Sequence, residues 1–106
     1  MTTYAKSGWT ALGDSTRRTI FELLVEHPCS VGELARALPV SRPAVSQHLK
    51  VLKDAGLVVD TRAGKQRIYR VDRDGLASLR AELDRFWRKT LAAYKAAVEQ
   101  PPEESP

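Results

Sequence analysis

Apolar residues recur at helical spacing through most of the chain, and one stretch changes the period. In STRRTIFELLVEH, residues 15–27, Ile20, Leu23 and Leu24 fall on one stripe with Phe21 beside it, which predicts an amphipathic helix. Asp14 stands ahead of it as an N-cap, its carboxylate able to accept from the free N–H groups of the first turn, and Pro28 ends it. Upstream, Trp9 and Leu12 make a short apolar element closed by Gly13. Downstream, Ser30 and Glu33 form an S-x-x-E capping box that opens a helix of about two turns, with Val31, Leu34 and Leu38 on its apolar side and Pro39 as its stop. Ser41 caps the next helix, where Pro43 is tolerated because the N–H it lacks would have no partner in a first turn. Val45, Leu49 and Leu52 sit at i, i+4 and i+7 and predict the buried face, while Gly56 is placed to end the helix in the left-handed conformation.

The period then shortens. LVVDTR (57–62) and RIYRV (67–71) flank Ala63, Gly64, Lys65 and Gln66, which predicts a hairpin with Gly64 at positive φ. From Asp74 to about Val98 the helical spacing returns as Leu76, Leu79, Leu83, Phe86, Trp87, Leu91, Tyr94 and Val98, a stripe of roughly six turns. Two helices about a tight turn, the second with a polar outer face, followed by a basic hairpin, predict a winged helix-turn-helix. The fold class is mostly α with a small β-hairpin, in the order α-α-α-α-β-β-α. The domain is expected over 9–98, with a flexible N-terminus at 1–8 and a disordered, proline-rich acidic tail at 99–106.

Composition sharpens this picture in two places. At 106 residues and 42% hydrophobic, the chain supports one small core and not two. A stripe as long and aromatic as the last one exceeds what such a core can cover. It therefore predicts a homodimer interface built from Trp9, Leu12, Leu79, Leu83, Phe86, Trp87, Leu91 and Tyr94. Packing on its own domain is the blander reading, and pairing with a foreign chain would make the winged helix a protein-interaction module. The second place is charge. The chain nets +4, but residues 41–73 carry eight Lys and Arg against three Asp, so all the excess lies in and just after the Ser41-capped helix. One cysteine allows no intramolecular disulfide, and no apolar run reaches the length of a signal peptide or membrane span, so a cytoplasmic protein without a membrane partner is expected.

The candidate chemistry is recognition of double-stranded DNA. Gln47 carries an amide that pairs bidentately with adenine, and Arg42 a guanidinium that does so with guanine. Ser41, Ser46 and His48 are candidate phosphate or base partners, and Lys50 a phosphate contact. On the hairpin, Arg62, Lys65 and Arg67 can follow the backbone or enter the minor groove. Against this stands an ordinary solvated helix face, and His48, one turn from Ala44 and Val51, fits a satisfied buried histidine equally well. Arg17 and Arg18 oppose the dipole at a helix start, which a phosphate contact or pairing with Asp14 or Glu22 would explain. No nucleophile with a base, carboxylate pair or glycine-rich phosphate loop occurs at a useful spacing, which argues against an enzyme.

WTALGDSTRRTIFELL, SVGELARALPVSRPAVSQHLKVLKDAGLV and the hairpin ending RIYRV together resemble the ArsR-type (ArsR/SmtB, arsenical-resistance repressor) family of bacterial winged-helix regulators, from about Trp9 to Val71. The resemblance implies a homodimer that represses from a palindromic operator and releases it when an effector reshapes the dimer. Many such proteins sense metals, some through C-x-C just before an acidic-Leu pair and others through His and carboxylates on the C-terminal helix. Here the positions before Glu33 and Leu34 are Ser30, Val31 and Gly32, Cys29 lies one residue outside, and the last helix contains no His. A member without a metal cofactor is therefore expected. His27 with Cys29 leaves a metal- or redox-responsive alternative, and a small apolar ligand between the C-terminal helices is another candidate trigger.

Overall fold

The computed structural model describes residues 8–100. Its elements are α1 (Gly8–Ala11), α2 (Ser15–Glu26), β1 (Cys29–Ser30), α3 (Val31–Ala37), α4 (Arg42–Asp54), β2 (Val58–Ala63), β3 (Gln66–Val71) and α5 (Arg73–Glu99). Most of the two segments expected to be flexible, residues 1–7 and 101–106, lies outside the described residues. Gly8 already belongs to α1 and Glu99 to α5, so regular structure runs one residue beyond the expected domain at each end.

The caps form as their side chains dictate. Asp14 accepts the Arg17 N–H at 2.9 Å. Ser30 and Glu33 close the reciprocal box, with Ser30 N–H donating to the Glu33 carboxylate at 2.8 Å and Glu33 N–H to Ser30 Oγ at 3.2 Å. At the end of α4, Gly56 takes φ +78°. Its N–H reaches the Lys53 carbonyl at 2.9 Å while Leu57 N–H reaches that of Leu52 at 3.0 Å, the paired bonds of a Schellman motif.

One element was not foreseen. Cys29 and Ser30 form a two-residue strand that pairs antiparallel with β3, Cys29 opposite Tyr69 and Ser30 opposite Ile68, so the hairpin is two strands of a three-stranded sheet in the order β1-β3-β2. Two residues are too few to show an alternating pattern. Within the hairpin Ala63 pairs with Gln66 around Gly64 and Lys65, and Gly64, at φ +65°, supplies the positive φ that a type II′ turn needs at its first central residue.

The core lies where α2, α3 and α4 meet the sheet. Ile20, Val45, Leu49 and Leu52 are wholly inaccessible, and Leu24, Leu34, Leu57 and Val58 are buried beside them. Among the buried residues α5 contributes only Leu79. Of the residues expected at a dimer interface, Leu12 and Leu79 are packed into the protomer's own core, at 9% and 8% exposure. Leu83 is half-buried, while Trp9, Phe86, Trp87, Leu91 and Tyr94 are exposed. The start of α5 is held by close backbone contact, because a Cβ on Gly75 would land on the Gly56 carbonyl and 3.2 Å from Leu57 Cα. No helix among the described residues is long and apolar enough to cross a membrane.

Candidate nucleic-acid interface

Ser41 caps α4 through its Oγ, which accepts the Ala44 N–H at 3.3 Å, and this sets the rotation of the helix. With Val45, Leu49 and Leu52 buried, Ser41, Arg42, Ser46, Gln47 and Lys50 all face solvent on one side. His48 is half-buried, and its Nδ1 is enclosed without a hydrogen-bond partner, so it stands at the edge of this face and not on it. The α3–α4 pair makes the helix-turn-helix, and the β2–β3 hairpin projects beside it with Arg62, Lys65 and Arg67 exposed near its tip.

Three of the predicted cations have partners within the chain. Lys50 Nζ lies 3.1 Å from Asp54, one helical turn on, both groups well exposed. Such surface pairs hold their charges weakly and exchange readily for a phosphate. Arg62 Nε donates to the Gly64 carbonyl at 3.3 Å and stiffens the turn. Arg67 is bound more firmly. Asp60, whose side chain is only 6% exposed, receives Arg67 at 2.9 Å and Lys53 at 2.8 Å, and so ties the wing to the last turn of α4. This bridge escaped the sequence, because no local pattern marks residues on three different elements as neighbours. Arg17, one of the two oddly placed arginines, donates to the Ala11 carbonyl at 2.9 Å and secures α1.

The bridge has a defined pH range. The hydrogen bond from Lys53 and the charges of Lys53 and Arg67 hold the Asp60 carboxyl below its ordinary range despite desolvation, and the same contact raises Lys53. A depressed carboxylate contributes stability above about pH 4 and loses it as pH falls through its folded value, whereas a raised lysine loses its share only as pH climbs past about 10.4. The wing should therefore stay tied to α4 across the neutral range. Asp60→Asn is expected to lower the urea midpoint at pH 7 and to flatten the fall in midpoint below about pH 4. Urea titrations at pH 3 and pH 7 read both effects, and an unchanged acid slope would contradict the assignment.

His27 and Cys29 meet, Nδ1 to Sγ at 3.5 Å. Among the described residues no group of three His, Cys, Asp or Glu is placed to hold an ion. Burial pushes the Cys29 thiol up, assisted by the charges of Glu33 and Glu26, which disfavours the thiolate that metal binding and oxidation require.

A helix-turn-helix with a polar, solvent-facing second helix and a basic hairpin alongside defines the winged helix-turn-helix class of DNA-binding proteins. Residues 14–59 match the family described as "Bacterial regulatory protein, arsR family". The HTH-type transcriptional regulator Rv2034 of Mycobacterium tuberculosis is 56% identical over 101 residues, covering 93% of this chain and 94% of that protein. The HTH-type transcriptional repressor SmtB of the same species is 44% identical over 69 residues, 65% of this chain and 51% of that protein. Among solved structures, an ArsR-like transcriptional regulator from Rhodococcus sp. RHA1 is similar with a TM-score of 0.72 at 36% identity, covering 93% of this chain and 98% of that one. A possible transcriptional regulator for arsenical resistance gives 0.71 at 42%, covering 86% and 95%. The chain belongs to the ArsR family. It is a transcriptional regulator of the DNA-binding kind and not an enzyme.

Proposed function

We propose that this protein is a homodimeric repressor that binds a palindromic operator in the cytoplasm without a metal cofactor. The observation that carries it is the division of α4: one side is locked into the core by Val45, Leu49 and Leu52, and the other offers Arg42, Ser46 and Gln47 to solvent beside the basic wing. A helix held in this way is rigid, so its polar side chains reach a groove with little further loss of freedom. Gln47 would read base edges in the major groove, while Arg42, Ser41, Lys50, Lys65 and Arg62 meet phosphates. Arg67 would act mainly by holding the wing. Repression is inferred from relatives that carry that name.

Dimerisation is supported by the far half of α5, where Phe86, Leu91 and Tyr94 are 59%, 54% and 68% exposed. A recess of about 420 Å³ on the same side is lined by Trp9, Leu83 and Phe86 and has no polar wall. It is the place where a small apolar effector would alter how two copies meet.

Binding is tested by fluorescence anisotropy on DNA from the protein's own promoter against a scrambled duplex. Gln47→Ala is expected to retain scrambled-DNA affinity and to lose about tenfold or more on the operator, since one bidentate base contact is worth about 1–3 kcal/mol of discrimination. Equal affinity of the wild type for both duplexes would sink the reading.

A further inference from the structure

A groove of about 530 Å³ separates the start of α3 from the wing, and Arg36, Arg42, Lys65 and Arg67 line it. The unforeseen strand builds it: pairing Ser30 with Ile68 sets the first turn of α3 against β3, so the two walls are fixed to each other through backbone hydrogen bonds. Over this floor two guanidinium groups converge. A Cβ on Gly32 would lie 3.0 Å from Arg42 Nη2 and 3.5 Å from Arg36 Nη1, so both reach the space that the missing side chain leaves open. Among the described residues neither arginine has an ion pair. Glu33, the carboxylate on the wall, is engaged by the Ser30 N–H at 2.8 Å. Glu33 keeps its charge and lies near Arg36, but four cations line the groove against this one carboxylate, which leaves a place where a phosphate oxyanion relieves repulsion and accepts planar, paired N–H donors.

We propose that this groove is a phosphate clamp, in which Arg36 and Arg42 grip one backbone phosphate of the bound DNA and Lys65 closes the wing side. The clamp rests on the DNA-binding reading above and adds to it a contact from α3, the helix that sequence patterns leave as a mere support. Its position favours a strand phosphate over a free anion. It lies between the N-terminus of α4 and the wing tip, the two parts that would touch the same duplex, and Arg42 and Lys65 belong to both the groove and those parts. A backbone contact carries no sequence information, so the clamp sets register and affinity without affecting base choice.

The test is the salt dependence of binding for the full chain. Arg36 is exposed, so Arg36→Ala should leave the melting temperature unchanged. It is expected to weaken operator and scrambled DNA alike by about tenfold and to reduce the magnitude of the slope of log K against log[salt] by about 1, whereas Arg36→Lys keeps the slope. An unchanged slope in Arg36→Ala, with the wild type still discriminating operator from scrambled DNA, overturns the clamp and leaves the DNA-binding reading intact. Failure of the wild type to discriminate overturns both. Inorganic phosphate at constant ionic strength provides the remaining arm: no thermal shift is expected, and sub-millimolar stabilisation of the wild type that vanishes in Arg36→Ala would assign the groove to a free anion and contradict the proposal.

Discussion

Replacing Phe86 and Trp87 together by glutamate is expected to give a folded monomer whose operator affinity has fallen by about a hundredfold or more. Neither residue belongs to the buried core; the rings stand 5.8 Å apart at 71° in an edge-to-face pair on the exposed half of α5. The winged domain should therefore keep its own packing. In the proposed dimer, however, each facing α5 would gain two carboxylates inside an apolar seam, where an unpaired charge is costly. Two α4 helices joined in one particle bind two half-sites with the second contact made intramolecularly, and a monomer loses that advantage. Sedimentation equilibrium and anisotropy read the two parts. The wild type's melting temperature should rise with protein concentration and the variant's should not. A variant that remains dimeric would place the self-association surface elsewhere.

Gly75→Ala is expected to destabilise the fold by about 3 kcal/mol or more, a fall of roughly 15 °C in melting temperature for a domain of this size. The sign is the informative part. In a solvent-facing helix position this change would stabilise by about 1 kcal/mol, because alanine has the higher helix propensity. Here the added methyl meets the carbonyl of Gly56 and the Cα of Leu57, which are backbone atoms and cannot swing aside. The same contact seats α5 on the Schellman turn that ends α4, so the change should also loosen the dimer helix relative to the reading helix. Calorimetric melting of the variant beside Gly13→Ala, whose Cβ would meet only the Thr10 carbonyl at 3.3 Å, separates this clash from a general cost of replacing glycine.

What the sequence made legible were the features that one element carries by itself. Asp14, Ser30 with Glu33, and Ser41 announce helix starts because a cap needs only its own first turn, and Val45, Leu49 and Leu52 announce a buried face because 3.6-residue spacing leaves them no other side. What stayed hidden depends on partners distant in the chain. The strand at Cys29 and Ser30 exists because β3 docks beside it. Asp60 reads as a surface charge until Lys53 and Arg67 are brought to it. Leu12 and Leu79 lie in the protomer's own core while their stripes run on to exposed Trp9 and Phe86, since periodicity gives the direction of an apolar face and not the point where the domain's own core stops covering it. Gly75 has no signal in its own helix, and only the Gly56 carbonyl and Leu57 Cα brought against it give it a reason.

The site divides along the same line. Arg42, Ser46, Gln47 and Lys50 are found together on the outer face of α4, as their spacing required. Arg36 was overlooked because α3 reads as a supporting helix, and His48 stands withdrawn at the edge, its Nδ1 enclosed. The surface proposed to read DNA is a helix, a wing tied to it through Asp60, and a groove between the wing and α3.

Footprinting of the promoter region around the protein's own gene tests most directly whether that surface is used twice, by two copies related by symmetry. Two protected half-sites of inverted sequence are expected, their centres a whole number of helical turns apart at about 10–10.5 bp per turn, with protection lost when Phe86 and Trp87 are both glutamate. A single asymmetric protected site, or protection that survives in the monomeric variant, would contradict the account.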